Sequence, residues 1–186
     1  MPKDLKPKSK ALSAFNVLPT GYFAEIEQDE ATILMLRAHP ITQIPWIFNA
    51  IVGFIALIIF NLFVSPYTTF RILLRVDLLG FLFLFAYVWY NFLLWYYTVG
   101  FVTNRRFIDV DYYGIVKRVV SQAPLIKLSD VTAKVAGFFG QIYNYGNVYV
   151  NTEGTAQNIE YLDIPSPDEV VAIINDLATE AAENDN

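Results

Sequence analysis

The sequence predicts a membrane protein that combines a two-helix transmembrane hairpin with a small α+β domain of antiparallel strands and a C-terminal helix. Two long uncharged apolar runs, at residues 46–64 and 78–97, predict the hairpin. Short β-like runs with glycine-marked turns follow residue 102, and an amphipathic helix ends the domain. Charged residues make up only 17% of the chain, against about 25% in a typical soluble domain, which also favours a membrane protein.

The composition excludes several classes of function. A net charge of -5 argues against general nucleic-acid binding, because that binding needs basic surface to neutralise phosphates. The chain has no cysteine, which excludes disulfides, cysteine nucleophiles and thiolate metal sites. Since His39 is the single histidine, one chain cannot build a multi-histidine metal site. We therefore expect no cofactor, no metal site and no nucleic-acid partner.

The segment before the first apolar run is predicted to have two parts. Residues 1–20 contain lysine and proline without an apolar period and predict a disordered arm. Residues 21–44 form a pre-membrane segment with an acidic cluster, which is interpreted as a solvated face. The cluster consists of Glu25, Glu27, Asp29 and Glu30. Periodicity cannot decide whether residues 31–37 form a strand or a helix.

The hairpin is assigned to residues 45–101, with helices at about 46–64 and 78–97. The first run would span about 28 Å as a helix, close to the thickness of the hydrocarbon core of a bilayer. Pro45 stands just before it, where proline opens a helix at little cost. Aromatic side chains prefer the headgroup level and mark the ends of the runs: Trp46, Trp95, Tyr96 and Tyr97. The alternative, two buried core helices, is disfavoured by the length of both uncharged runs.

The distribution of basic residues predicts the orientation of the hairpin. The connection between the runs carries Arg71 and Arg75, whereas more basic residues flank the other ends of the runs. These are Lys3, Lys6, Lys8, Lys10, Arg37, Arg105, Arg106, Lys117 and Arg118. Because basic residues accumulate on the cytoplasmic side, both termini and the domain are expected there, with the hairpin integral to the plasma membrane. Asn49, Asn61 and Asn91 are interpreted as interhelical hydrogen-bonding groups rather than as a polar pathway.

The domain is predicted to span residues 102–178. Alternating or β-branched runs predict short antiparallel strands at residues 107–110, 115–120, 146–151 and 159–164. In the last run, Leu162 and Ile164 are expected to share the face opposite Tyr161.

The C-terminal helix has clear start signals. Ser166 suits the cap, Pro167 suits the first helical position, and Glu169 completes a capping box. Apolar residues then recur at i, i+3, i+4 and i+7 in a stripe that is expected to pack on the sheet: Val170, Ile173, Ile174 and Leu177. Residues 179–186 are assigned to an acidic tail that frays.

Two pairs of adjacent basic residues are candidates for contact with the membrane surface or lipid headgroups: Arg105 with Arg106, and Lys117 with Arg118. Since neighbouring side chains on a strand point to opposite faces, one pair cannot easily share one ligand. One arginine could face the bilayer surface, where a basic residue contributes on the order of 1 kcal/mol toward anionic lipids. The other could pair with an acidic residue of the domain. A topology anchor with structural pairing is the favoured interpretation.

An aromatic loop after the second basic pair is a further candidate surface. Exposed aromatic residues beside glycines suit insertion into the membrane interface or docking of a protein partner, although phenylalanine is also common in cores. The candidate partner-docking loop contains Phe138, Phe139, Tyr143 and Tyr145. His39, close to the first apolar run, is interpreted as a structural histidine at the interface rather than as a pH sensor.

Three motifs follow the hairpin in order: TNRRF at 103–107, APLIKLSDV at 123–131 and GNVYV at 146–150, before the closing helix. In this order they resemble the membrane-flanked bacterial pleckstrin-homology (PH)-like proteins, the YdbS-like group, over about residues 25–177. The resemblance implies a partly open antiparallel β-barrel capped by the C-terminal helix. It also implies a binding or assembly module that tends to oligomerise and has no established catalytic residues.

We therefore expect a non-catalytic integral membrane protein whose cytoplasmic PH-like domain acts in binding, scaffolding or self-assembly. The sequence lacks the motifs of phosphate-binding loops, zinc hydrolases, serine hydrolases and dinucleotide-binding enzymes. The expected partners are the bilayer and a protein, either another chain or a second copy, with no small-molecule substrate. The alternative function is an accessory subunit of a membrane enzyme or of a transport complex.

Overall fold

The chain forms two compact units. The computed structural model describes residues 14–19, 30–114, 117–135, 137–153 and 158–184. The domain unit comprises Met1–His39 and Tyr96–Asn186, and the hairpin unit comprises Pro40–Trp95.

The hairpin unit consists of α1 (Ile44–Val64) and α2 (Phe70–Tyr97), with 3₁₀ turns at Pro40–Gln43 and Ser65–Tyr67. Both helices begin earlier than predicted, α1 by two residues and α2 by eight. The sequence prediction followed only the uncharged residues, whereas α2 also includes the charged residues Arg71, Arg75 and Asp77 in its first turns. The last two residues of α2 belong to the domain unit.

The two helices of the hairpin unit pack closely around Gly80, where an added Cβ would lie 2.6 Å from Cδ2 of Leu57. The Nδ2 group of Asn61 donates to Oδ1 of Asp77 at 2.5 Å and to the carbonyl of Leu57 at 3.0 Å. Asn91 instead donates to a carbonyl of its own helix at 2.8 Å. The interhelical hydrogen bonding expected of these asparagines is therefore present at Asn61.

The first sheet of the domain unit is antiparallel, with the strand order β1-β2-β3-β4-β5. Its strands are β1 (Phe15–Val17), β2 (Thr32–Leu36), β3 (Val99–Thr103), β4 (Arg106–Tyr113) and β5 (Lys117–Pro124). The sequence left open whether residues 31–37 form a strand or a helix, and the structure shows a strand there.

Two predicted boundaries change in this sheet. β1 falls inside the predicted arm of residues 1–20, yet all three of its residues are buried and pair with β2. The rest of that arm, residues 1–13 and 20, lies outside the described residues. The sheet also begins before residue 102, because β2 pairs with β3 through Leu36 and Gly100. A pairing between strands more than 60 positions apart leaves no local trace in the sequence.

The second sheet has the antiparallel order β6-β7-β8, formed by β6 (Leu128–Lys134), β7 (Tyr145–Thr152) and β8 (Ile159–Pro165). A short helix, α3 (Gly137–Tyr143), lies between β6 and β7, where a loop was predicted. The C-terminal helix α4 (Pro167–Asn184) begins at the predicted proline. It extends through much of the predicted tail, because alanine and glutamate there are good helix formers.

One hydrophobic core joins both sheets to α4. The predicted stripe on α4 is confirmed, since its four side chains are 0% to 8% exposed: Val170, Ile173, Ile174 and Leu177. They belong to the same buried cluster as Leu34 of β2, Phe107 of β4 and Val150 of β7. The predicted α+β class, with antiparallel sheets and a C-terminal helix, is therefore observed.

The alternation predicted for β8 is wrong at its end. Ile164 is buried, whereas Leu162 is 54% exposed. Asp163 between them has a left-handed φ of +53°, and its N–H donates to Oδ1 of Asn147 at 2.8 Å. This irregularity rotates the strand, so Leu162 and Ile164 do not share a face.

Candidate functional site

The two adjacent arginines of the β3–β4 turn occupy different environments. Arg105 is exposed in the turn, whereas Arg106 begins β4 and pairs with Glu30, with 2.9 Å between Nη2 and Oε2. The Nε group of Arg106 donates to Oε1 of Glu30 at 3.1 Å, and Thr103 Oγ1 donates to the same oxygen at 2.6 Å. Arg106 Nη1 also donates to Oε1 of Gln122 at 3.0 Å. Arg106 is therefore committed to a contact inside the domain unit.

The environment of Glu30 corrects the interpretation of the acidic cluster as a solvated face. Its side chain is only 1% exposed, and its carboxylate accepts hydrogen bonds from both Arg106 and Thr103. The other members of the cluster, Glu25, Glu27 and Asp29, lie outside the described residues. A buried carboxylate is stable only when it is paired and hydrogen-bonded, and the partners of Glu30 lie 73 and 76 positions away.

The second basic pair lies at the other end of the β4–β5 ladder. The register pairs Arg106 with Pro124 at one end and Tyr113 with Lys117 at the other. Seven residues of strand separate these ends by about 23 Å. Lys117 and Arg118 are exposed, and the Lys117 ammonium lies 5.5 Å from the ring centre of Tyr113. The structure therefore does not bring the four predicted basic residues together into one headgroup site.

Helix α3 presents large apolar side chains to its surroundings. The exposed fractions are 73% for Phe138, 61% for Phe139, 57% for Ile142 and 49% for Tyr143. On the opposite side, Gly140 is buried, and a Cβ there would lie 3.1 Å from the carbonyl oxygen of Tyr145. At about 100° per residue, Phe138 and Ile142 point directly away from Gly140. We call the four exposed side chains the aromatic face.

Tyr145, the fourth predicted docking residue, is not part of the aromatic face. It is half-buried at the start of β7, and its ring stacks on the ring of His39 with 5.5 Å between centroids. The N–H of His39 donates to the carbonyl of Asp163 at 2.7 Å, and burial lowers the pKa of His39. These contacts fit a structural histidine. Ile142, which the sequence prediction omitted, belongs to the aromatic face. It lies four residues after Phe138 in α3 and therefore on the same side of the helix.

A family comparison identifies the fold. A sequence model described as "Bacterial PH domain" matches residues 40–178. The chain belongs to the bacterial PH domain family. The resemblance to bacterial PH-like proteins is thereby confirmed, while the YdbS-like group stays a prediction.

A search of solved structures gives one similar chain, a DUF1696 family protein with a pleckstrin-homology domain from Shewanella loihica PV-4. The two chains are 19% identical, with a TM-score of 0.32, and the match covers 44% of this chain and 68% of the other. No curated protein matches this chain.

The PH domain also has an acidic cleft that the sequence prediction missed. A cavity of about 120 Å³ lies where β3 and β4 approach β8. Its charged lining residues are Arg37, Asp109, Asp111, Glu160 and Asp163. The signal for part of this cleft is present in the sequence, because the spacing of Asp109 and Asp111 places both carboxylates on one face of a strand.

Asp109 is the most perturbed carboxyl group of this cleft. Burial, together with the charge of Asp111, raises the pKa of Asp109 to about 7. Burial and, to a lesser extent, the charge of Asp109 raise the pKa of Tyr161. The Tyr161 hydroxyl donates to the carbonyl of Phe101 at 3.2 Å. The cleft thus contains a carboxyl group, that of Asp109, whose charge changes near neutral pH. The buried hydrogen bond from Tyr161 of β8 to Phe101 of β3 joins the two sheets beside it.

In the described part of the chain, no group of three or more histidine, cysteine, aspartate or glutamate side chains is arranged to hold a metal ion. PH-like domains often act as binding or scaffold modules. The match to the bacterial PH domain family therefore supports a domain of a kind that often binds or scaffolds.

Proposed function

We propose that this bacterial PH-domain protein is a non-catalytic binding module anchored in the plasma membrane by α1 and α2, with its domain unit in the cytoplasm. The observation that carries the proposal is the apolar surface of the hairpin unit. Its two helical segments, Pro40–Tyr67 and Phe70–Tyr97, each have 28 residues, and no residue of their most apolar windows is buried. Within these segments, α1 has 21 residues and α2 has 28, so the two helices extend about 32 Å and about 42 Å, each enough for the roughly 30 Å of the hydrocarbon core.

The exposed side chains of the hairpin unit support this anchoring. Large apolar residues such as Phe48, Leu62 and Phe83 are 62% to 74% exposed. Monomeric soluble proteins rarely expose contiguous apolar patches beyond a few hundred Å², whereas a bilayer would cover such a surface. The charged residues Arg71 and Arg75 lie near the start of α2, where long side chains can reach the headgroups.

The binding role rests on the domain unit. PH-like domains often bind or scaffold, and the aromatic face adds an exposed apolar surface of the kind that partners cover. Arg106 is engaged by Glu30, so the domain unit does not offer the two adjacent arginines as one anion site. The proposed partner is therefore a protein, either a second copy or another chain at the membrane.

The anchoring is tested with single-cysteine variants, because the natural chain has no cysteine. Thr69→Cys lies between α1 and α2, and Asp176→Cys lies on the exposed side of α4. In intact cells, a membrane-impermeant maleimide should label Thr69→Cys, and should label Asp176→Cys only after permeabilisation. The full chain should also resist carbonate extraction. Release by carbonate, or labelling of both positions from outside, would overturn the proposal.

The binding role is tested by the size of the complex in mild detergent. We expect a particle whose protein mass exceeds the 21.2 kDa of one chain, and cross-links either between copies or to one stoichiometric protein. A chain that stays monomeric and yields no cross-linked protein in native membranes contradicts the binding role while leaving the anchoring intact.

A further inference from the structure

We infer that a groove on the hairpin unit binds the hairpin unit of a second copy of this chain, with Asn49 at the centre of the contact. The groove has a volume of about 480 Å³ and runs along one side of α1 and α2. Helix α1 contributes Asn49, Gly53 and Leu57 to its lining, and α2 contributes Gly80, Leu84 and Tyr87. The inference rests on the proposed anchoring in the membrane and names the partner of the proposed binding role.

Two close contacts fix how α1 and α2 lie side by side in the hairpin unit. A Cβ on Gly53 would lie 3.2 Å from Cδ1 of Leu84, and a Cβ on Gly80 would lie 2.6 Å from Cδ2 of Leu57. The position in α2 moves backward as the position in α1 moves forward, so the helices are antiparallel. Residues that precede Gly53 in α1 and residues that follow Leu84 in α2 therefore lie toward the same end of the groove.

The polar groups of the groove lie together at this end. Asn49 is about one turn before Gly53, and Tyr87 is about one turn after Leu84. In the described part of the chain, neither the Asn49 amide nor the Tyr87 hydroxyl has a hydrogen-bond partner. Asn91, by contrast, donates to the carbonyl of Tyr87 in its own helix at 2.8 Å. The groove thus ends in a donor and an acceptor that the hairpin unit does not satisfy by itself.

The position of Asn49 along α1 places its amide within the hydrocarbon core of the proposed membrane. The 21 residues of α1 extend about 32 Å, so the helix fills the roughly 30 Å of the core almost from end to end. Asn49 lies five residues after Ile44, the first residue of α1, which is about 7.5 Å from that end. Its side chain is exposed and, unlike that of lysine or arginine, is too short to reach the headgroups. The amide therefore faces lipid tails, which offer no hydrogen bond.

A second copy supplies the missing hydrogen bonds, whereas a lipid tail in the groove does not. An asparagine amide is both donor and acceptor, so two such amides can bond each other reciprocally. Two copies inserted in the same direction hold Asn49 at the same depth, and a twofold axis along the membrane normal brings the two amides together. The Tyr87 hydroxyl, near the same depth, adds a donor. A different protein would need its own polar residue at this depth, which a second copy always has. The groove therefore fits a second copy, joined by the packing and hydrogen bonds that associate helices in a membrane.

The test measures association of full chains in liposomes by energy transfer between fluorophores on a single cysteine. Thr69→Cys, between α1 and α2, carries the donor on some chains and the acceptor on others. The chains are diluted with lipid, and the protein density at which half of the transfer is lost measures the dissociation constant. Asn49→Leu should raise this density about tenfold, because the interhelical hydrogen bonds are lost. Asn91→Leu is the matched control and should leave the density unchanged, because Asn91 bonds within its own helix.

Oxidative cross-linking in native membranes locates the contact. Asn49→Cys should form a disulfide-linked dimer, whereas Ile51→Cys, about 200° further round α1, should not. Energy transfer that Asn49→Leu leaves unchanged, or a dimer linked through position 51 and not through 49, overturns the inference and leaves the binding role in place. Absence of energy transfer at every protein density also overturns it and leaves the anchoring in place. Release of the natural chain from membranes by carbonate removes the proposed anchoring, and the inference with it.

Discussion

Replacement of Asp109 by asparagine is expected to remove the loss of domain stability that this carboxyl group causes between pH 5 and pH 8. Burial and the charge of Asp111 raise the pKa of Asp109 to about 7 in the folded chain, against 3.8 as its ordinary value. The folded state then binds the proton more tightly than the unfolded state between these values. Asp109 therefore stabilises the fold fully below pH 3.8, and this contribution is lost as the pH rises through about 7.

The size of the effect follows from this shift. Each pKa unit corresponds to about 1.4 kcal/mol, so the full range between the two values is about 4 kcal/mol. Between pH 5 and pH 8, the free energy of unfolding of the natural protein should fall by about 2.5 kcal/mol from this group alone. Asparagine stays neutral, so the Asp109→Asn variant should match the natural protein at pH 5 and exceed its stability at pH 8.

Hydrogen exchange, followed by mass spectrometry on the full chain in detergent, measures this difference on peptides from β3 to β5. Tryptophan fluorescence is unsuitable, because Trp46, Trp89 and Trp95 all lie in the hairpin unit. Asp176→Asn, on the exposed surface of α4, is the matched control and should keep the natural pH profile. Equal pH profiles for the natural protein and Asp109→Asn would refute the reasoning.

Three further single substitutions and one double variant test the structure of the domain unit. Arg106→Ala should lower the free energy of unfolding in urea by about 3–5 kcal/mol, because it leaves the buried carboxylate of Glu30 without its ion-pair partner. Adding Glu30→Gln to this variant should recover part of the loss. Gly146→Ala should lower the free energy of unfolding by about 3 kcal/mol or more, because its Cβ would lie 2.6 Å from the backbone oxygen of Lys134 and would push β6 away from β7. Gly137→Ala, with a φ of +78° but no atom within 4 Å of its Cβ, should cost only about 1 kcal/mol by the same measurement.

Local patterns in the sequence predicted the elements with strong internal signals. The uncharged runs placed both long helices, and the stripe from Val170 to Leu177 placed α4 on the core, because helical periodicity depends only on nearby residues. β1 was missed because three residues carry too little pattern. The end of β8 was misassigned because the left-handed φ of Asp163 depends on a hydrogen bond to Asn147 in another strand.

The candidate surfaces were predictable in the same uneven way. Phe138, Phe139 and Tyr143 were singled out by composition, and all three are exposed, but the short helix that orients them was not predicted. The carboxylates of Asp109 and Asp111 share a strand face by simple alternation. Their importance still depends on burial against β8, which is 50 residues further along the chain. Composition finds side chains of a given kind, while their environment is set by long-range packing.

The N-terminal segment shows how far this long-range packing extends beyond the family match, which begins at residue 40. β2 contributes Leu34 and Leu36 to the core and pairs with β3, and Glu30 accepts the hydrogen bonds of Arg106. A fragment that starts after α2 would expose the edge of β3 and leave Arg106 without its carboxylate. Unpaired strand edges and broken buried ion pairs both destabilise, so the domain unit needs the chain on both sides of the hairpin. In the sequence, the hairpin thus lies between β2 and β3, two strands that pair with each other in the domain unit.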